Sequence, residues 1–102
     1  MRRKSTIACD ISPAVRRQVM ERDHGACIVC GSTQNIQLAH YRSRARLGLG
    51  IPQNLACMCV RCHAAYDQGG SHYEIKRLYR RYLMERYPDW SEEKITYRKD
   101  RL

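Results

Sequence analysis

Hydrophobic and polar positions follow more than one rhythm along this chain. Between Ser12 and Arg22, Val15 and Val19 recur at helical spacing while Arg16 and Arg17 point away, which predicts a helix with one buried side. Ser12-Pro13 supplies its start, because serine can cap an orphan N–H and proline at the first helical position loses no hydrogen bond. His24-Gly25 ends it. Ile36-Gln37-Leu38-Ala39-His40 alternates with period two and predicts a short strand, with His40 near its C-terminal end. A second short strand is expected over Leu55-Ala56-Cys57-Met58, and a short helix from about Val60 to Gln68, stopped by Gly69-Gly70.

The longest period comes last. Ile75, Leu78, Tyr79, Tyr82 and Leu83 fall on one helical face, after a capping-box spacing at Ser71-His72-Tyr73-Glu74 and before Pro88. This aromatic stripe reads as core, and Lys76, Arg77, Arg80 and Arg81 share the opposite face. Asp89 to Glu93 suggests one more helical turn, whereas residues 1–10 carry no pattern and are expected to be a flexible basic arm. The organisation predicted is a single domain over 1–102, with the arm at 1–10, a core at 12–70 and a helical extension at 71–102.

Composition limits what such a domain can bury. The chain has 102 residues, no Phe and seven Tyr, so its core is modest and a metal staple is physically reasonable. Nineteen Lys+Arg against ten Asp+Glu give a net charge of +9, which favours a polyanion, nucleic acid being the commonest. A merely solvated basic face is the alternative. No stretch approaches the roughly 20 apolar residues of a membrane span. No apolar run follows Met1-Arg2-Arg3-Lys4-Ser5, so a cytoplasmic location with reduced cysteines is expected rather than three disulfides.

Four of the six cysteines form two Cys-x-x-Cys knuckles, Cys27/Cys30 and Cys59/Cys62. That spacing lets both sulfurs of a pair face one point, and two pairs complete a closed tetrahedral Zn²⁺ site. Cys57-x-Cys59 is an alternative pairing with poorer spacing; Cys9 and Cys57 otherwise read as free thiols.

His40, Asn54 and His63 are embedded among the knuckles. Together with Arg22-Asp23, Cys30-Gly31, Ala39-His40, Asn54-Leu55 and Cys62-His63, they make the stretch from Ser12 to Gly70 resemble the HNH endonuclease family, above all its small phage-type, zinc-ribbon members. The resemblance implies an α+β fold with a small ββα-metal core, two knuckles on one structural zinc, and flanking N- and C-terminal helices. It also implies a metal-dependent endonuclease acting on double-stranded DNA and encoded by a phage or mobile element; the sequence leaves the oligomeric state open, with a monomer favoured.

The residue chemistry agrees. A neutral imidazole is a suitable general base near pH 7, and His40 stands beside an arginine-rich loop. His63 and Asp67, spaced i, i+4 on a helix, can hold one Mg²⁺, Mn²⁺ or Ni²⁺ that stabilises charge on the scissile phosphate. Asn54 either ligates that ion or, as the resemblance implies, holds the hairpin so that His40 is oriented. Arg42, Arg44 and Arg46 are placed for DNA phosphates. One departure stands out: where the family often carries an acid or imidazole ligand before the catalytic His, this chain has Ala39. A zinc module that binds DNA without cutting it is therefore the alternative reading.

Overall fold

The computed structural model describes residues 3–99. Strands β1 (Ile36–His40) and β2 (Leu55–Cys59) form an antiparallel pair with Leu38 opposite Cys57, Ala39 opposite Ala56 and His40 opposite Leu55. Period-two geometry gives this pair two faces, and the chain covers both. Leu38, Leu55 and Cys57 pack against Val19 of a helix, Pro13–Arg22. Ala39, Ala56 and Met58 pack against Tyr66, Ile75, Tyr79 and Leu83 from helices Val60–Gln68 and His72–Arg86. Because both sides are covered, all of β2 is buried, and its sequence runs apolar without alternation.

Helices are numbered in chain order: α1 (Lys4–Cys9), α2 (Pro13–Arg22), α3 (Val60–Gln68) and α4 (His72–Arg86). The Ser12 hydroxyl caps α2 by accepting from the Val15 N–H at 3.1 Å, as its sequence predicts. At the other end, Arg22 and Asp23 form a partly buried junction. The guanidinium donates to both Asp23 oxygens and to the carbonyls of Pro52 and Leu55. Asp23 accepts in turn from the Cys57 N–H at 2.9 Å and the Tyr82 hydroxyl, so one ion pair ties α2, β2 and α4 together. Burial pushes the Asp23 carboxyl up, but the bonds from Arg22 and Tyr82 outweigh it and hold it below its usual range.

With no Phe, tyrosine fills the core. Tyr41 meets Tyr79 and Trp90 edge to face at 5.2 and 5.4 Å. Each buried hydroxyl needs a partner, and the partners are informative. Tyr79 donates to the Ala39 carbonyl and Tyr66 to the Tyr41 carbonyl, so the backbone is clamped on either side of His40.

Several expectations are corrected. Lys4–Cys9 is helical rather than an unpatterned arm, and Cys9 is buried; Met1 and Arg2 lie outside the described residues. Packing against a distant loop holds α1, notably the Gly50 N–H donating to the Ala8 carbonyl at 2.9 Å. The capping box does not form: the Ser71 side chain makes no cap bond, and His72 instead donates through Nδ1 to the Tyr66 carbonyl. The stripe on α4 is narrower than its periodicity, since Leu78 is 39% exposed. No further helix follows α4 among the described residues; turns carry Trp90 and Ile95 into the core, and the Trp90 indole donates to the Gln53 carbonyl.

Gly48 and Gly50 each stand where another stretch of backbone approaches closely. A Cβ on Gly50 would lie 2.0 Å from the Asp10 carbonyl oxygen and 2.9 Å from that of Cys9. Gly50→Ala should therefore push α1 off the loop and lower Tm by roughly 10 °C, the scale of an overpacked site in a domain this small. An unchanged thermal melt would show that this close approach carries no stability.

Candidate functional site

The four knuckle sulfurs converge. Cys27, Cys30, Cys59 and Cys62 place their Sγ atoms within 4.8 Å of one another, and Cys30 and Cys59 are 3.7 Å apart. A tetrahedral Zn²⁺ with bonds of about 2.3 Å sets its sulfurs about 3.8 Å apart, so this donor set fits zinc. Local backbone explains the convergence. Gly31, at φ +80°, turns the first knuckle so that its N–H meets the Cys27 carbonyl. Cys59 ends β2 and caps α3, its sulfur accepting from the Cys62 N–H.

Thiol chemistry separates ligands from bystanders. Burial pushes the Cys27 thiol up, but backbone N–H donors from Cys30, Cys59 and Val29 outweigh it and hold it at about 7. Burial and the neighbouring sulfurs push Cys62 up, the mark of thiols that cannot all ionise without a cation between them. Cys57 is buried beside Val19 and Met20, outside the four-sulfur cluster, and burial with Asp23 nearby pushes it up to about 12. It takes no part in the cluster.

A second group gathers at the end of β1. His40, Arg42, Arg46, Asp67, His72 and Lys76 line a cleft of about 320 Å³ between the loop after β1, α3 and the start of α4. The His40 Nε2 lies 3.0 Å from the Cys9 carbonyl, which can only accept, so Nε2 carries the proton and Nδ1 is the free lone pair. Burial holds the imidazole below its usual pKa against the Cys9 bond, and Arg44 adds to the lowering. His40 is thus kept neutral near pH 7.

On α3, His63 Nε2 stands 3.1 Å from Asp67 Oδ2. Neighbouring ligands of an octahedral ion with bonds of about 2.1 Å are about 3.0 Å apart, so the pair fits one edge of such a site. The other ring nitrogen, Nδ1, meets Gln37 Oε1 at 2.7 Å. Sequence reasoning misses Gln37, whose only signal there is its place two residues before Ala39 on the strand. Ala39 itself is fully buried among Tyr66, Tyr79 and Met58. Among the described residues, only the four-cysteine group brings three or more His, Cys, Asp or Glu side chains close enough to hold one metal ion.

Asn54 is fully buried and spends its amide on backbone. It accepts from the Arg42 N–H at 2.8 Å and donates to the carbonyls of Arg42 and Leu49. With both ends of the amide occupied in this way, the geometry favours the second of its two expected roles, holding the hairpin. The three arginines divide. Arg42 and Arg46 line the cleft. Arg44 faces α1 and binds the Cys9 carbonyl at 2.9 Å and Asp10 at 2.5 Å, which steadies the carbonyl that orients His40.

Two strands, a following helix and a four-cysteine cluster define a small α+β domain of the ββα-metal kind. Comparison with solved structures finds the same fold in the Type IV phosphorothioation-dependent restriction endonuclease ScoMcrA, with a TM-score of 0.61 and 24% identity. The alignment covers 74% of this chain and 20% of that one, so the likeness is to one part of a much larger enzyme. No family model and no curated protein matches the chain. Among the described residues, no helix is long and apolar enough to cross a membrane.

Proposed function

We propose that this chain is a metal-dependent DNA endonuclease in which His40 is the general base. The observation that carries this reading is the cleft, where an oriented neutral imidazole, the Asp67 carboxylate and two arginines face the same space. His40 Nδ1 would take a proton from water as the water oxygen attacks phosphorus and the bond to the leaving oxygen breaks. Arg42 and Arg46 would hold the phosphate oxygens. His63 and Asp67 would hold a divalent ion, which when bound supplies positive charge to the phosphate and the leaving oxygen. The ScoMcrA likeness supports the fold of such a site. Double-stranded DNA is the proposed substrate, and a phage or mobile-element origin the proposed setting.

The test is incubation of zinc-loaded protein with supercoiled plasmid and added Mg²⁺, Mn²⁺ or Ni²⁺. Conversion to open-circular or linear DNA that depends on the metal supports the reading. A second reading, a zinc module that binds DNA without cutting it, draws on Ala39, which leaves His63 and Asp67 as the only proposed protein ligands. Binding without cleavage under every metal would favour that one.

Gln37 enters as a positioning residue. An amide oxygen at 2.7 Å keeps a proton on His63 Nδ1 and leaves Nε2 to face Asp67. Gln37→Ala should weaken Mn²⁺ binding about tenfold, measured by electron paramagnetic resonance of the free ion. It should also redistribute the ring proton, read from ¹⁵N resonances of His63, while Gln37→Glu keeps the acceptor and the Nδ1–H form. Unchanged nitrogen shifts in Gln37→Ala would remove Gln37 from this role.

A further inference from the structure

A second groove, of about 310 Å³, runs from the cleft along the first half of α4 and is lined by Tyr41, Tyr73, Lys76, Arg77 and Arg80. Tyr41, Tyr73 and Lys76 line both spaces, so a strand with a phosphate beside His40 can continue into the groove without leaving the surface. The groove's cations have no acidic partner among the described residues. Two are held by aromatic rings instead: the Lys76 ammonium lies 5.6 Å from the Tyr41 ring centre, and the Arg80 guanidinium 5.7 Å from that of Trp90. Glu92, in the adjoining cleft, opposes them from the C-terminal segment.

Tyr73 is the unusual member. It is 77% exposed, the most exposed large apolar side chain among the described residues, and its ring packs T-shaped against His72. A solvent-facing ring beside a row of cations is the arrangement that holds unpaired nucleic acid, with bases stacked on the aromatic and phosphates on the cations. A duplex keeps its base faces inside its own stack and has none to offer the ring.

We infer that this groove seats an unpaired stretch of DNA flanking the cut, Tyr73 stacking on one base and Lys76, Arg77 and Arg80 following the backbone. The inference rests on the endonuclease reading for the position of the cut, but the binding itself does not need catalysis. Both can therefore be tested apart.

Fluorescence anisotropy of labelled single-stranded and duplex oligonucleotides, with zinc-loaded protein and no added divalent ion, measures the groove. Tyr73→Ala should weaken single-strand binding about tenfold, the range of one base stack removed, and leave duplex binding within twofold. Replacing Lys76, Arg77 and Arg80 by Gln should flatten the single-strand log K against log salt slope by about 0.7 for each phosphate no longer neutralised, about 2 in all. Single-strand affinity unchanged in Tyr73→Ala, or weakened equally for both forms, overturns the inference. The plasmid assay, run on the same preparations, reports separately on cleavage. Tyr73-dependent binding without cutting upholds the groove and removes the nuclease reading; cutting with Tyr73-independent binding does the reverse.

Discussion

Cys30→Ser is expected to leave a chain with no bound zinc and no cooperative melting transition. The cluster joins the Cys27–Cys30 turn, the end of β2 and the first turn of α3, so that one ion fastens three segments at once. A structural zinc site of this kind contributes on the order of 10 kcal/mol, as much as the whole stability of a typical domain. The loss should spread, because Cys27 and Cys59 sit in the same core cluster as Tyr66, Tyr79 and Trp90. Trp90 is the chain's one tryptophan, so its fluorescence reads that core directly. Cys9→Ser should keep its zinc and its melt, because Cys9 lies outside the cluster. A Cys30→Ser protein that melts cooperatively, or folded wild-type protein with no zinc by elemental analysis, would sink the assignment.

The second large effect is on chemistry alone. His40→Ala should lower plasmid cleavage by about 10²–10⁴-fold, the usual contribution of a general base. Zinc content, Tm and DNA affinity should stay near wild type, because the proton transfer belongs to the transition state and not to the ground-state complex. The pH profile gives a second readout. A base works only when unprotonated, and burial holds His40 below the usual histidine range. The acid limb should therefore be centred below the usual histidine value of about 6.5, the rate falling about tenfold per pH unit beneath it. An acid limb centred above about pH 7, or wild-type cutting by His40→Ala, would assign the proton transfer to another group.

Local rules carried the elements far. The strand over Ile36–His40, the helix over Val60–Gln68 and the Ser12 cap were legible because each is decided by period or by a neighbour a few residues away. The knuckle spacing was legible for the same reason, since a Cys-x-x-Cys turn is local geometry. What failed were features whose cause lies elsewhere in the chain. Lys4–Cys9 has no periodicity of its own and is held by Gly50, while Ser71 has capping chemistry but a backbone that does not present it.

The site divides along the same line. By itself, the sequence determined the residue types and spacings: four cysteines for one zinc, and His63 and Asp67 one helical turn apart. Only the tertiary structure decided that Cys57 packs beside Met20 and stays out of the cluster, and that Arg44 clamps the Cys9 carbonyl while Arg42 and Arg46 face the cleft. It alone paired His63 with Gln37, spent the Asn54 amide on the hairpin and closed the core over Ala39. The reason is physical. Spacing along a chain specifies which side chains share a local face. The hydrogen bonds, burial and neighbouring charges that give each its role come from segments many residues distant, brought together only when the sheet is covered on both sides.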